Sequence, residues 1–175
     1  MRNTEYLRGV KFTVWLPYVV NKKEYEINQF ALENLKLIKE ICQKNKIKLI
    51  AFITPPHASH VEALYIAGFG HVIPEIKRQI VKVIPVWDFY GYNSITTEPL
   101  DRVKNYRDSA HIIPDVGDLI LSRILSYQEQ TVPADFGIMI TPDNIEFEIA
   151  KMQVNRESWG KQNTKTIEYL RSLVK

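Results

Sequence analysis

The chain has 175 residues, 45% of them hydrophobic and 25% charged, and its formal net charge at pH 7 is +3. A chain of this length and composition suits one globular domain and is too apolar to stay disordered. The small net charge, without a long block of lysine and arginine, argues against nucleic acid as a partner. The single cysteine, Cys42, excludes an internal disulfide and a cysteine-based zinc site.

The start of the sequence carries no recognisable targeting or membrane signal. Residues 1–8 lack the apolar core of a signal peptide, and the apolar stretch 12–20 is interrupted by Pro17 and is too short to span a bilayer. The sequence as written is therefore expected in the cytoplasm and away from membranes. A longer exported parent would instead place it outside the cytoplasm or on a membrane.

Two strands and a helix are predicted in the first third of the chain. Residues 10–20 are rich in β-branched and aromatic residues, which predicts a strand that Pro17 restricts to an edge or an end. The apolar run 47–53 predicts a strand buried on both faces and stopped by two consecutive prolines. Between them, apolar spacing predicts an amphipathic helix over residues 28–44. Its inward side comprises Ala31, Leu32, Leu35, Ile38, Ile41 and Cys42, and its outward side Glu33, Lys36, Lys39 and Lys44.

Helices and strands alternate in the middle of the chain. Ser59 and Glu62 have the spacing of a capping box, which predicts a helix that begins there and ends at one of the next two glycines. Pro74 indicates the first turn of a further helix. Residues 84–89 predict a second core strand.

The last part of the chain begins with a long segment that has no apolar periodicity. Residues 90–110 form a loop of a length that, inside a compact domain, is more often functional than idle. Pro114 then predicts a helix with an apolar inner side, and Thr141 and Pro142 predict the cap and first residue of a final helix.

The order of these elements predicts the fold class. Alternating helices and strands imply right-handed crossovers, and therefore a three-layer, flavodoxin-like α/β fold with a mostly parallel sheet and helices on both faces. Residues 1–27 are interpreted as an N-terminal segment with one strand. Residues 28–130 are interpreted as an α/β half-domain, and residues 131–175 as a C-terminal extension that ends in a helix.

Polar residues concentrate where the predicted strands end. Ligands of such sheets bind beyond the carboxyl ends of the strands. This rule selects residues 54–59, residues 88–94 and the end of the long loop. The predicted rim of a substrate site comprises His57, Asp88, Asn93 and Ser94.

At the end of the long loop, Asp108 stands three residues before His111. A carboxylate at this spacing can turn back onto one imidazole nitrogen, fix the tautomer and leave the other nitrogen free to act as a base. The pair is therefore a candidate catalytic base, His111, with its orienting acid, Asp108. A surface turn in which the carboxylate binds only local backbone groups satisfies the same spacing.

The wider pattern resembles a known superfamily. Asp108 and His111, followed by Gly117 and an apolar helix, resemble the last block of the SGNH (GDSL-like) hydrolases, and the preceding strands, one ending in two prolines and one in Asp88, resemble the second half of their fold. This resemblance implies an SGNH-type ester hydrolase or acyl transferase, in which the late Asp and His serve a serine nearer the N-terminus. Four segments extend the likeness to uncharacterised bacterial SGNH-like proteins: residues 52–58, 86–98, 134–137 and 141–145.

The sequence departs from this family where the nucleophile is expected. It contains no Gly-Asp-Ser and no Gly-x-Ser-x-Gly, and the family's oxyanion-hole blocks have no counterpart before residue 28. Without a nucleophile and oxyanion donors, most of the catalytic stabilisation is missing. The chain alone is therefore expected to be nearly inactive, as a gene remnant, one half of a split enzyme or a degenerate relative kept for binding.

Three other serines lie near the predicted rim. Ser59 fits a helix cap, and Ser109 is expected to point away from His111. Ser94 is the best substitute nucleophile of the three, although a turn explains it better.

No metal or other cofactor is expected. A metal site of His57, His60 and His111 would need converging rings, which a helix start near His60 opposes. Two functions stay open. One is the acid–base part of an acyl-transfer enzyme, with an upstream-encoded fragment as its partner. The other is a non-catalytic α/β module that binds a small ligand, a partner chain or a second copy.

Overall fold

The computed structural model describes residues 27–172, so the strand predicted over residues 10–20 lies outside the described residues. Within the described range the chain has a mixed α/β fold. The helices are α1 (Gln29–Lys44), α2 (Ala58–Ile66), α3 (Val72–Val83), α4 (Pro114–Leu125), α5 (Ile145–Gln162) and α6 (Thr164–Ser172), with short 3-10 turns at Leu100–Arg102 and Glu129–Thr131. The strands are β1 (Phe52–Ile53), β2 (Val86–Asp88) and β3 (Ile138–Ile140).

The three strands form one small mixed sheet in the order β1-β2-β3. β1 runs parallel to β2, with Phe52 opposite Trp87, whereas β3 runs antiparallel to β2, with Met139 opposite Trp87. The parallel pair agrees with the predicted alternation of elements, and β3 is a strand that the sequence pattern did not predict. A mostly parallel, three-layer sheet is therefore not established.

Side chains of β2 alternate between two apolar clusters. Val86 packs with residues of α3, β3 and α5, whereas Trp87 packs against a cluster that includes residues of α4. The first cluster is built on Val81, Val86, Ile140, Ile145 and Ile149, and the second on Phe89, Val116, Ile120, Val132 and Phe136.

Helix α1 has the predicted length, and its orientation agrees with the prediction in part. The half-buried side includes Leu32, Leu35 and Cys42, as predicted, whereas Ala31, which was expected to face inward, is exposed. The cap of the helix is Asn28, whose side chain accepts the N–H of Ala31. Lys39, which was expected to face outward, reaches inward and donates to the carbonyl of Val83 at 2.7 Å. Ile38 and Ile41, which were expected to face inward, are about half exposed. This part of the helix-face prediction was wrong, because α1 packs on α3 through its Lys39 side.

The predicted capping box at the start of α2 was also wrong. The cap is His57, whose Nδ1 accepts the N–H of Ser59 at 3.0 Å. Glu62 does not turn back to the helix start, because its carboxylate binds Arg156 at 2.7 Å. Glu62, which has the spacing of a capping glutamate, is therefore a buried residue that binds Arg156 of α5.

Helix α5 begins three residues later than Thr141 and Pro142 indicate, because these residues form a turn. The carbonyl of Thr141 accepts the N–H groups of Asn144 and Ile145. The Oδ1 of Asn144 accepts the N–H of Thr141 at 2.8 Å, and the Nδ2 of the same side chain donates to the carbonyl of Met139 in β3. Asn144 thus joins the end of β3 to the start of α5.

The segment after residue 131 supplies β3, α5 and α6, and these elements contact β2, α3 and α2 respectively. Between residues 27 and 172 no helix is both long enough and apolar enough to cross a bilayer.

Candidate functional site

The Asp108–His111 pair forms a closed turn at the end of the long loop. The Nδ1 of His111 lies 2.7 Å from Oδ2 of Asp108 and 2.9 Å from Oδ1. Oδ1 also accepts the backbone N–H groups of Ala110 and His111, at 2.8 and 2.9 Å. The His111 side chain is 76% exposed. The ring is therefore in solvent, while the Asp108 carboxylate at its Nδ1 fixes its orientation.

The charge state of Asp108 follows from these contacts. Partial burial would raise the pKa of the carboxyl group, but hydrogen bonds from Ala110 N–H, the His111 ring and His111 N–H outweigh it and hold the pKa below its usual value. The carboxylate is therefore ionised at neutral pH and can only accept hydrogen bonds. In a neutral ring, Nδ1 of His111 must then carry the proton, and the lone pair of Nε2 is left for an incoming hydroxyl.

The turn is fastened to the first turn of α2 through Ser109. The carbonyl of Ser109 accepts the N–H of His57 at 3.0 Å, and its hydroxyl lies 3.2 Å from Nδ1 of His60. The side chain of Ser109 is buried. On the other side of the turn, Arg107 N–H donates to the carbonyl of His111 at 2.8 Å. Ser109 therefore fixes the position of the pair and, as predicted, does not contact the His111 ring.

His60 lies within electrostatic range of the pair. Burial lowers its pKa, the charge of Asp108 opposes that change and His111 adds to it. Although three histidines occupy this region, no set of three or more metal-ligating side chains occurs in the described part of the chain.

His57 is buried and does not lie at an open rim, where the sequence placed it. It is completely buried, with Ser59 at its Nδ1 and the carbonyl of Glu98 at its Nε2. Burial lowers its pKa to about 4, against a smaller opposing effect of the Glu98 carbonyl, so the ring is neutral at pH 7. Contact of His57 with a substrate stays a prediction that this burial does not favour.

Asn93 and Ser94 belong to a tight turn after β2. The Oδ1 of Asn93 accepts the N–H groups of Ile95 and Thr96, and the Ser94 hydroxyl donates to Asp135 at 2.6 Å. The backbone of the same turn reaches α2, where Ala58 N–H donates to the carbonyl of Thr96. These contacts explain both polar residues through the turn, and Ser94 has no histidine among its hydrogen-bond partners.

Asp88 ends β2 inside a buried ion pair. Its Oδ2 lies 2.6 Å from Nζ of Lys77, and both side chains are buried almost completely. The two residues line a cavity of about 70 Å³ together with Tyr90 and Asn93. The lining of this cavity includes neither Asp108 nor His111, so the residues predicted to share one rim are divided between two places.

The sequence interpretation missed two ion pairs that join different elements and contain a buried side chain. Lys77 occupies a buried position of α3, and Glu62 binds Arg156 while it accepts the hydroxyl of Tyr92. A lysine within an apolar helical stripe is the one sequence signal that could have identified the first pair. Nothing in the local pattern indicates the second.

The site can therefore orient an exposed imidazole for proton transfer, and no serine between residues 27 and 172 forms a hydrogen bond with that imidazole. Ser59 and Ser109 are buried, and Ser94 binds Asp135. Comparison of the chain with protein-family models, curated proteins and solved structures finds no match.

Proposed function

We propose that the chain provides the acid–base part of an SGNH-like acyl-transfer site, with His111 as the base and Asp108 as its orienting acid. One observation carries the proposal: the carboxylate that accepts two backbone N–H groups also holds Nδ1 of an exposed histidine at 2.7 Å. An aspartate that only closes a surface turn needs hydrogen bonds from the backbone N–H groups alone. An aspartate that orients a catalytic base must also contact the imidazole ring.

In this role Nε2 of His111 takes the proton of an attacking hydroxyl and returns it to the leaving alkoxide. Asp108 stays ionised and stabilises the imidazolium that forms between the two steps. The acyl group passes from an ester to water or to a sugar hydroxyl. The proposal assigns the nucleophilic hydroxyl to a partner chain, such as an upstream-encoded fragment, or to water, because Ser59 and Ser109 are buried and Ser94 binds Asp135.

We also propose that the complete sheet has the three-layer, mostly parallel arrangement of the SGNH type. A three-layer, mostly parallel sheet of the SGNH type is supported by the parallel pair β1 and β2 and by apolar clusters on the two sides of β2. The antiparallel strand β3 lies at the edge opposite β1. This leaves the outer edge of β1, which pairs with no other strand among residues 27–172, for further parallel strands.

A second function, that of a non-catalytic binding module, is favoured by one separate observation. Helix α1 exposes several large apolar side chains, among them Phe30, Leu37 and Ile41. Exposed apolar rows of this kind mark interaction surfaces. A protein with this function would keep its binding after loss of His111.

Hydrolysis of p-nitrophenyl acetate at neutral pH tests the catalytic proposal. The chain alone is expected to give only a slow reaction, in which water is the nucleophile, and His111→Ala is expected to lower this protein-dependent rate by roughly tenfold or more, because it removes the base. His71→Ala removes another exposed histidine and is the matched control, expected to keep the rate. Equal rates for the wild type and both variants, all above the rate in buffer alone, would refute the role of His111.

A further inference from the structure

Helix α1 is apolar on two opposite sides. Leu35 and Cys42 lie on the half-buried side with Lys39, which packs on the body of the protein. Phe30, Leu37 and Ile41 point the other way, and they are 68%, 52% and 49% exposed. These three residues, here called the outer row, recur at helical spacing and extend about 16 Å along the axis. A surface helix of a monomer needs only one apolar side.

Charged residues flank the outer row with alternating sign. In chain order they are Glu33, Lys36, Glu40 and Lys44, all exposed and all on the same flank of the row. In a parallel two-fold pair this charged flank would face the opposite flank of the other copy, which carries the uncharged Asn34 and Ile38, so its charges would have no partners. In an antiparallel copy related by a two-fold axis near residue 38, Glu33 faces Lys44 of the other copy and Lys36 faces its Glu40.

We infer that the outer row of α1 is the interface of a homodimer, in which two α1 helices pack antiparallel about a two-fold axis. The apolar row supplies the buried centre, and the alternating charges select the antiparallel orientation over the parallel one. A single patch that complements itself is what a closed two-fold dimer requires. This inference does not depend on the proposed chemistry of His111.

The molar mass of the full chain in solution tests the apolar part of the inference. Sedimentation or light scattering is expected to give a dimer for the wild type. Leu37→Asp is expected to weaken dimerisation by about tenfold or more, since it places charges from both copies near the axis. Leu121→Asp is the matched control, because Leu121 is a helical leucine with 53% exposure on α4, and it should leave the dimer intact.

Charge exchange tests the orientation. Glu33→Lys and Lys44→Glu are each expected to weaken the dimer, and the double variant is expected to recover it. Within one helix the two residues are about 16 Å apart and cannot pair. Both substitutions also place like charges near neighbours of the same helix, so recovery in the double variant must come from contact between copies.

Any of three results would overturn the inference. A monomeric wild type whose melting temperature falls more with Leu37→Asp than with Leu121→Asp would assign the outer row to a contact within the same chain. A dimer that persists in Leu37→Asp, or a double variant as weak as the sum of the single ones, would place the interface elsewhere or exclude the antiparallel arrangement.

Discussion

Among single residues, His57 couples the fold to pH. Its pKa is lowered to about 4 by burial, while an unfolded chain binds the proton near the ordinary value of 6.5. As the pH falls from 6.5 towards 4, His57 becomes protonated in the unfolded state but stays neutral in the folded state, so the free energy of unfolding decreases. The expected loss is about 3 kcal/mol between neutral pH and pH 4. Urea unfolding at a series of pH values measures it.

Asparagine substitutions separate this effect from general acid sensitivity. His57→Asn keeps a good helix cap but cannot titrate, so most of the pH dependence in this range should disappear. His60, whose pKa burial also lowers, accounts for a remainder of the same sign. His71→Asn replaces an exposed histidine and should leave the slope as it is. An unchanged slope in His57→Asn would contradict the assignment.

Asp108 determines which ring nitrogen of His111 carries the proton. In Asp108→Asn the backbone N–H groups of Ala110 and His111 keep the amide oxygen at the Oδ1 position, so the NH2 group takes the Oδ2 position beside Nδ1. An N–H donor there requires an acceptor nitrogen, and the ring is expected to change to the Nε2–H tautomer.

Long-range proton–nitrogen NMR correlations of the His111 ring distinguish the two tautomers. The wild type is expected to show Nδ1–H and Asp108→Asn to show Nε2–H. Asp101→Asn, at an exposed aspartate of the same loop, is the control and should retain the wild-type tautomer. Retention of Nδ1–H in Asp108→Asn would mean that the carboxylate does not orient the ring.

At the scale of elements, β3 depends on Gly137. This residue has φ of +88°, and a Cβ there would collide with the ring of Phe89. Gly137→Ala is expected to destabilise the protein by about 2–4 kcal/mol, from left-handed strain and overpacking together. Gly117→Ala in α4, where a Cβ meets open space, is expected to stabilise by roughly 0.5–1 kcal/mol. Thermal unfolding of both variants checks the contrast, and equal melting temperatures would contradict it.

Elements with strong local signals were predictable. The extent of α1 follows from apolar spacing and the start of α4 from an N-terminal proline, and the structure confirms both closely. β3 has only three residues and owes its existence to pairing with β2, which no local pattern encodes. The start of α5 was missed because the Thr141–Asn144 turn imitates a helix cap.

The same distinction explains the candidate site. Asp108 and His111 meet within one turn, so their contact could be predicted from spacing. Lys77 with Asp88, and Glu62 with Arg156, meet only when distant elements pack together. Asp88 was therefore predicted at the rim of a substrate site, whereas its carboxylate forms an ion pair with the buried Lys77.

Across the whole molecule, a few backbone contacts hold the candidate base in place. The N–H groups of His57 and Ala58 donate to the carbonyls of Ser109 and Thr96, so the start of α2 binds both the Asp108–His111 turn and the loop after β2. The candidate base is thus attached to a buried part of the fold while its ring stays exposed. This arrangement suits proton transfer to a group that approaches from outside the chain.

The most direct test of the proposed function is the rate of p-nitrophenyl acetate hydrolysis by Asp108→Asn, measured at neutral pH beside His111→Ala and Asp101→Asn. If Asp108 orients His111, then Asp108→Asn should fall to the rate of His111→Ala, because its ring no longer presents a free Nε2, whereas Asp101→Asn should keep the wild-type rate. A rate for Asp108→Asn equal to that of the wild type would show that the two residues do not act together as an acid–base pair.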